Sequence, residues 1–253
     1  MRKTASSGLL PFSVQQPSTT DRALTVLGTA IICTSFLFMV FPMADLAVSQ
    51  WFAKGEVFAL AEQPFLQAVR RIGRDGQIYI VGSMVVLIGL KAFGPKRYAF
   101  CQPHKPLFVL LSFAVGPLIV VQVLKVLIGR VRPRDLLEFG GSADFTPVWQ
   151  FSAACSRSCS FPSGESSAAA AALSLLVFVP ATLRGITALV LTPFLVLIAF
   201  NRVLFGAHFL SDVMLGWLLT MFAMVLIWRW LEPRSIAINS FVTRGGDEAR
   251  ICD

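Results

Sequence analysis

Charge is scarce in this sequence. Only 14% of its 253 residues are Asp, Glu, Lys or Arg, roughly half of the 25% usual for soluble domains, which excludes a soluble globular protein. Tyrosine is nearly missing, 2 against 22 Phe, and 55% of the chain is apolar. The mean hydropathy is +0.71. The net charge of +8 has no soluble basic domain to sit on, so nucleic acid is excluded as a partner. An anionic lipid surface or a phosphorylated substrate remains. No internal repeat or low-complexity tract appears, and the chain reads as one domain. The first apolar run lacks a small-residue cleavage site and is too long for a cleaved signal peptide.

What is present is a set of apolar runs near the length of about 20 residues that crosses a bilayer. They fall at 23–43, 77–94, 106–128, 166–181, 186–205 and 209–228. These predict an all-α fold: a six-transmembrane-helix bundle spanning 23–232, with a polar cytoplasmic arm at 1–22 and a cytoplasmic tail at 233–253. The fourth run is short at its start, because the polar Pro-Ser-Gly-Glu-Ser before it belongs at the interface. Between the first two runs, residues 45–76 mix charges with Trp51, Phe52, Phe58 and Phe65. That pattern predicts one or two amphipathic interfacial helices on the outer face.

Orientation follows from Lys and Arg in the short loops. With the N-terminus cytoplasmic, twelve of the 22 lie inside and ten outside, a small excess. It grows to twelve against four if the six from Lys125 to Arg202 belong to a binding site.

Three stretches carry chemistry. In KVLIGRVRPRD, Lys125 ends the third run and Arg132-Pro133 follows. Seven residues are two helical turns, so Lys125 and Arg132 would share a face. An ammonium beside a guanidinium fork suits phosphate oxygens; the plainer reading is interfacial snorkelling. In NRVLFGAHFLSD, His208 and Asp212 are four apart at the start of the last run. That spacing lets Asp212 accept from one imidazole nitrogen and aim the other at a substrate, making His208 a candidate nucleophile or base. Ionisable groups within spans are functional by default.

In FPSGESS, the backbone N–H groups of Ser163 and Gly164 open a helix and are placed to meet an anion. Glu165 lies in the first turn, where a carboxylate also favours the helix dipole. Because the third run ends, the fourth begins and the sixth begins on the same membrane face, all three stretches converge outside.

Among five Cys, Cys155 and Cys159 alone form an informative pair. Cys101 and Cys252 face the cytoplasm in this topology and Cys33 lies in the first run. Four residues apart, Cys155 and Cys159 are within disulfide reach if the segment turns, and an oxidising exterior permits the bond. Two unpaired thiols in a loop are the alternative.

The three stretches together resemble the signature of the type 2 phosphatidic acid phosphatase superfamily, which shares its site with vanadium-dependent haloperoxidases. That signature is Lys, six residues, Arg-Pro; then Pro-Ser-Gly-His; then Ser-Arg, five residues, His, three residues, Asp. This chain has Lys125 with Arg132-Pro133, Pro162-Ser163-Gly164-Glu165, and Asn201-Arg202 with His208 and Asp212. The resemblance implies that His208 attacks phosphorus to give a phosphohistidine, oriented by Asp212. Lys125, Arg132, Arg202, Ser163 and the Gly164 amide would stabilise the equatorial oxygens. It implies no metal and no cofactor.

Two positions depart from the signature. Asn201 replaces Ser, which alters a supporting hydrogen bond. Glu165 replaces the His that protonates the leaving oxygen, so Glu165 is either a general acid with a raised pKa or a group that pairs with a substrate amine, orients water, or holds Arg132 or Arg157. Ser-Gly-Glu and the preceding CSRSCSF resemble most the lipid A 4'-phosphatases of Gram-negative inner membranes. That implies a phosphorylated glucosamine disaccharide lipid as substrate, a site facing the periplasm, and Arg130, Arg134 and Arg157 meeting its anionic head group. Undecaprenyl pyrophosphate, phosphatidylglycerophosphate or phosphatidic acid would suit the same site. A phosphotransferase or a silent lipid-binding protein are the further alternatives.

Overall fold

Helices begin where the sequence supplies a start. In a computed structural model describing residues 18–93, 102–152, 154–156 and 158–242, the Ser18 hydroxyl accepts from the Asp21 N–H and opens α1, Thr19–Val40. The described part of the arm is therefore already helical, while residues 1–17 lie outside the described residues. The short α2, Met43–Phe52, follows. It is amphipathic, burying Asp45, Leu46 and Ser49 while leaving Trp51 83% exposed.

Pro64 occupies the first position of α3, Pro64–Phe93, a helix of 30 residues. The expected second interfacial helix is instead the opening of this span, because nothing after Pro64 breaks the helical run before Phe93. Next, α4, His104–Phe113, passes through a π-helical stretch, Ala114–Val120, into α5, Val121–Ile128. Pro117 lies inside that stretch, where its missing N–H cannot serve the helical ladder.

The fourth expected span is α6, Gly164–Ala172, extended by a 3-10 segment, Leu173–Phe178. At 1.5 Å per residue and then 2.0 Å, it reaches about 25 Å, less than the ~30 Å hydrocarbon thickness. Five helical stretches are long and apolar enough to cross a membrane, and Gly164–Phe178 is a shorter apolar helix. The chain is a multi-pass membrane protein. Among the described residues there is no strand, only two isolated bridges.

Small side chains put α6 in the middle. Residues from Ser166 to Ala172 are all buried, and α7, Ala181–Leu204, and α8, Leu210–Leu231, pack against them. The Ser166 hydroxyl donates to the Val213 carbonyl at 2.7 Å, and the Ser167 and Thr220 hydroxyls pair. A Cβ at Gly216 would stand 2.8 Å from the Ser163 carbonyl oxygen, so glycine there lets α8 approach the polar segment that opens α6.

The expected polar tail begins as structure. A 3-10 turn, Glu232–Arg234, leads into α9, Ser235–Val242, whose Asn239 side chain accepts from the His104 N–H at 3.1 Å. Residues 243–253, like Cys101 and Cys252, lie outside the described residues.

Candidate active site

The end of α5 shapes one wall. Gly129 caps it at φ +62°, where a Cβ would lie 2.1 Å from the Ser152 carbonyl oxygen. Beyond it the chain is extended at Arg132. Lys125 and Arg132 therefore do not share a helix face, as two continuous turns would have required, yet both reach one cavity. That cavity has about 410 Å³ and is lined by Lys125, Arg132, Gly164, Glu165, Arg202 and His208, together with Arg70, Arg74, Gln77, Pro117 and Gln122. The three sequence stretches thus meet.

His208 lies before α8 rather than within it, so its i, i+4 contact with Asp212 is long. Its Nδ1 is 2.6 Å from the Ser160 carbonyl oxygen and 3.8 Å from Asp212 Oδ2. A carbonyl only accepts, so Nδ1 carries the proton and Nε2 keeps its lone pair. Burial pushes the imidazole pKa down to about 4, with the Asp212 carboxylate opposing. The ring is neutral and oriented at ordinary pH, with Nε2 unprotonated.

Asp212 acts at one remove. It accepts from the Ser160 hydroxyl, from the Phe209 N–H at 2.9 Å and from Arg130 Nη1 at 2.6 Å. Ser160, absent from the sequence reading, is thus bound through its hydroxyl to Asp212 and through its carbonyl to His208.

Arg130 corrects an expectation. Expected at the substrate head group, it is instead 0% exposed. Its Nε donates to the Thr146 carbonyl at 2.7 Å, and Nη2 meets Asp45 Oδ2 at 2.9 Å. The Phe209 ring centroid lies 4.0 Å from the guanidinium carbon. Asp45 also accepts from the Ser211 N–H at 2.9 Å and from the Ser211 hydroxyl. Burial pushes the Asp45 carboxyl pKa up, with the Arg130 charge opposing and the Asp212 charge adding. Asp45 gave no motif signal; it was one acidic residue between two apolar runs.

Ser163 is a second correction. Its N–H donates to the Asp212 carbonyl at 3.0 Å and its hydroxyl caps α6 by accepting from Ser166 N–H, so it is a helix cap with no free amide for an anion. Gly164 does line the cavity. Arg134 is half-exposed, 3.8 Å from Asp135, and lines an adjoining cavity of about 350 Å³ with Arg132 and Ser158. Arg157 lies outside the described residues. Asn201 holds α7 to α3 by donating to the Leu66 carbonyl at 2.8 Å. The Cys155 and Cys159 sulfurs are bonded, with Cα atoms 5.6 Å apart. Beside that loop, Arg132 Nε donates to the Ser158 carbonyl at 2.7 Å.

Glu165 stands between two guanidinium groups, 3.3 Å from Arg202 Nε and 3.5 Å from Arg70 Nε. It holds Arg70 and Arg202 rather than Arg132, one of the partners expected from sequence. Arg202 is buried, and its Nε and Nη1 make no hydrogen bond. Arg70, Arg74 and Gln77 line the cavity without having been expected there; their signal was a polar i, i+4, i+7 stripe at the start of a long, largely apolar helix. Among the described residues no cluster of His, Cys, Asp and Glu is arranged to hold a metal.

A 118-residue stretch is 43% identical to a lipid A 4'-phosphatase of Rhizobium leguminosarum, covering 46% of this chain and 51% of that protein. It is 41% identical over 118 residues to the lipid A 4'-phosphatase of Rhizobium etli, covering 46% of each chain. The chain thus spans about half the length of these curated relatives. The fold is similar to that of a PAP2-type phosphatidylglycerolphosphate phosphatase from Bacillus subtilis, with TM-score 0.55 and 22% identity, over 83% of this chain and 96% of that one. Residues 105–236, more than half of the chain and including Lys125, Glu165 and His208, match the family model of the PAP2 superfamily, and the chain belongs to that superfamily.

Proposed function

We propose that this membrane protein is a lipid phosphatase that removes the 4'-phosphate of lipid A through a phosphohistidine, at the periplasmic face of a bacterial inner membrane. One observation carries the reading: His208 Nδ1 is spent on the Ser160 carbonyl, leaving Nε2 as the available nitrogen of a residue lining a cationic cavity. The names of the two Rhizobium relatives support the substrate.

In the first step Nε2 forms a bond to phosphorus as the bond to the sugar oxygen breaks. Lys125, Arg132, Arg202 and the Gly164 N–H stabilise charge on the equatorial oxygens. The leaving oxygen takes up a proton. Water then attacks phosphorus, the N–P bond breaks, and inorganic phosphate leaves with Nε2 restored. Glu165 lies between two guanidinium groups, 3.3 Å from Arg202 Nε and 3.5 Å from Arg70 Nε. That favours a role in positioning Arg202 over one as general acid, so the proton on the leaving oxygen comes from solvent.

The deciding experiment incubates the purified protein and its His208→Ala variant with lipid A bisphosphate and measures phosphate release. Release by the wild type alone supports the reading; equal release by both, or none by either, refutes it.

A further inference from the structure

The cavity holds more positive charge than one phosphate monoester needs. Arg70, Arg74, Lys125, Arg132 and Arg202 line it against a single carboxylate, Glu165. A monoester dianion and Glu165 together supply three negative charges to five cations. Lys125, Arg132 and Arg202 belong to the phosphate motifs. Arg70 and Arg74 belong to none.

Those two come from α3, one helical turn apart, with Gln77 three residues further on and lining the same cavity. Arg70 touches Glu165 only through Nε at 3.5 Å, and that buried nitrogen makes no hydrogen bond. None of the ion pairs among the described residues involves Arg74. Arg74 is exposed and Arg70 half-buried, and like charges lining one cavity repel one another unless an anion meets them.

Resting on the phosphatase reading, we infer that Arg70, Arg74 and Gln77 form a second anion subsite, which holds a further negatively charged group of the same substrate while His208 attacks the first. The substrate class is then a head group with two separated anionic groups, a bisphosphorylated sugar lipid rather than a single monoester such as phosphatidic acid. Two-point binding also fixes orientation, and so decides which phosphate reaches His208.

The test uses the full chain in uncharged detergent micelles, which removes acidic lipids as the other source of anion. Two substrates are compared: the glucosamine disaccharide lipid with both phosphates, and the same lipid with the 4'-phosphate alone. Arg74→Gln raises KM for the bisphosphate about tenfold, the worth of one charge-assisted contact, and less than about twofold for the monophosphate. Arg71→Gln is the control: Arg71 is exposed, next in sequence to Arg70 and absent from the cavity wall, and its loss shifts neither KM. Equal effects of Arg74→Gln on both substrates would overturn the subsite, as would an effect seen only in vesicles of acidic phospholipid. If the wild type turns over neither lipid, the phosphatase reading falls on its own. Direct binding then decides the subsite: tighter binding of the bisphosphate by wild type than by Arg74→Gln keeps it, and equal binding removes it.

Discussion

Arg130 Nη1 stands 2.6 Å from Asp212 Oδ1 with neither side chain exposed. The other end of the same guanidinium holds Asp45. A chain of contacts therefore runs from the interfacial helix α2 through Asp45, Arg130, Asp212 and Ser160 to His208. It is the means by which a histidine outside any helix is held still.

Removing Arg130 leaves two buried carboxylates without a counter-charge, and breaking such a pair costs about 3–5 kcal/mol. Arg130→Gln is expected to unfold at markedly lower temperature in detergent. Adding Asp45→Asn removes one stranded charge and recovers part of the loss. Arg130→Lys fares worse than charge alone suggests, because an ammonium lacks the planar fork that meets both carboxylates. An unchanged melting profile for Arg130→Gln contradicts the arrangement.

The low pKa of His208 sets the acid limit. Burial holds it at about 4, below the ordinary 6.5, so the imidazole stays neutral well below neutrality. Phosphate-release kcat/KM from this group should persist through pH 5 and fall near pH 4. The sign for stability agrees: between 4 and 6.5 the unfolded chain binds the extra proton, so this contribution rises with pH across that window and is lost on acidification. An acid limb at 6.5 that moves on substitution of Ser160 would refute the burial argument.

Glu165→Gln separates positioning from proton donation. Loss of a general acid lowers rate about 10²–10⁴-fold. A carboxylate that only positions Arg202 and Arg70 is expected to leave more than about a tenth of kcat, because a charge-assisted contact is worth roughly tenfold. The alkaline limb of the pH profile should not move. A loss of several hundredfold assigns the proton to Glu165 instead.

Neither Cys155 nor Cys159 should react with a thiol reagent before reduction, while both react after it. Because Arg132 donates to the carbonyl of Ser158 inside that loop, the double Ser variant is expected to raise KM several-fold, with kcat falling less. Mass spectrometry of the alkylated chain reads the first outcome, and steady-state kinetics the second.

Much of the plan is local and therefore legible in sequence. Apolar runs of bilayer length dictate helices, since lipid leaves a backbone no other partner. Lys125, Arg132, Gly164, Glu165, Arg202 and His208 lie near the ends of those runs on one side, which is enough to bring them together. The short α6 was likewise foreseeable from its polar start, though its 3-10 end was not.

Contacts across the chain were not legible. Arg130 and Arg132 differ by two positions and both look like phosphate ligands, yet one is buried between Asp45 and Asp212 and the other lines the cavity. Ser160 acts through a backbone carbonyl, which no side-chain pattern encodes. Asp212 was expected to accept a hydrogen bond from His208, but it stands 3.8 Å from Nδ1, which donates to the Ser160 carbonyl instead. Sequence by itself determined the helices, the sign of charge in the site and most of the residues that line it, because these follow from periodicity and residue chemistry. Only the tertiary structure decided which arginine lines the cavity and which carboxylate holds which cation. Those choices depend on burial and distance between residues far apart in the chain.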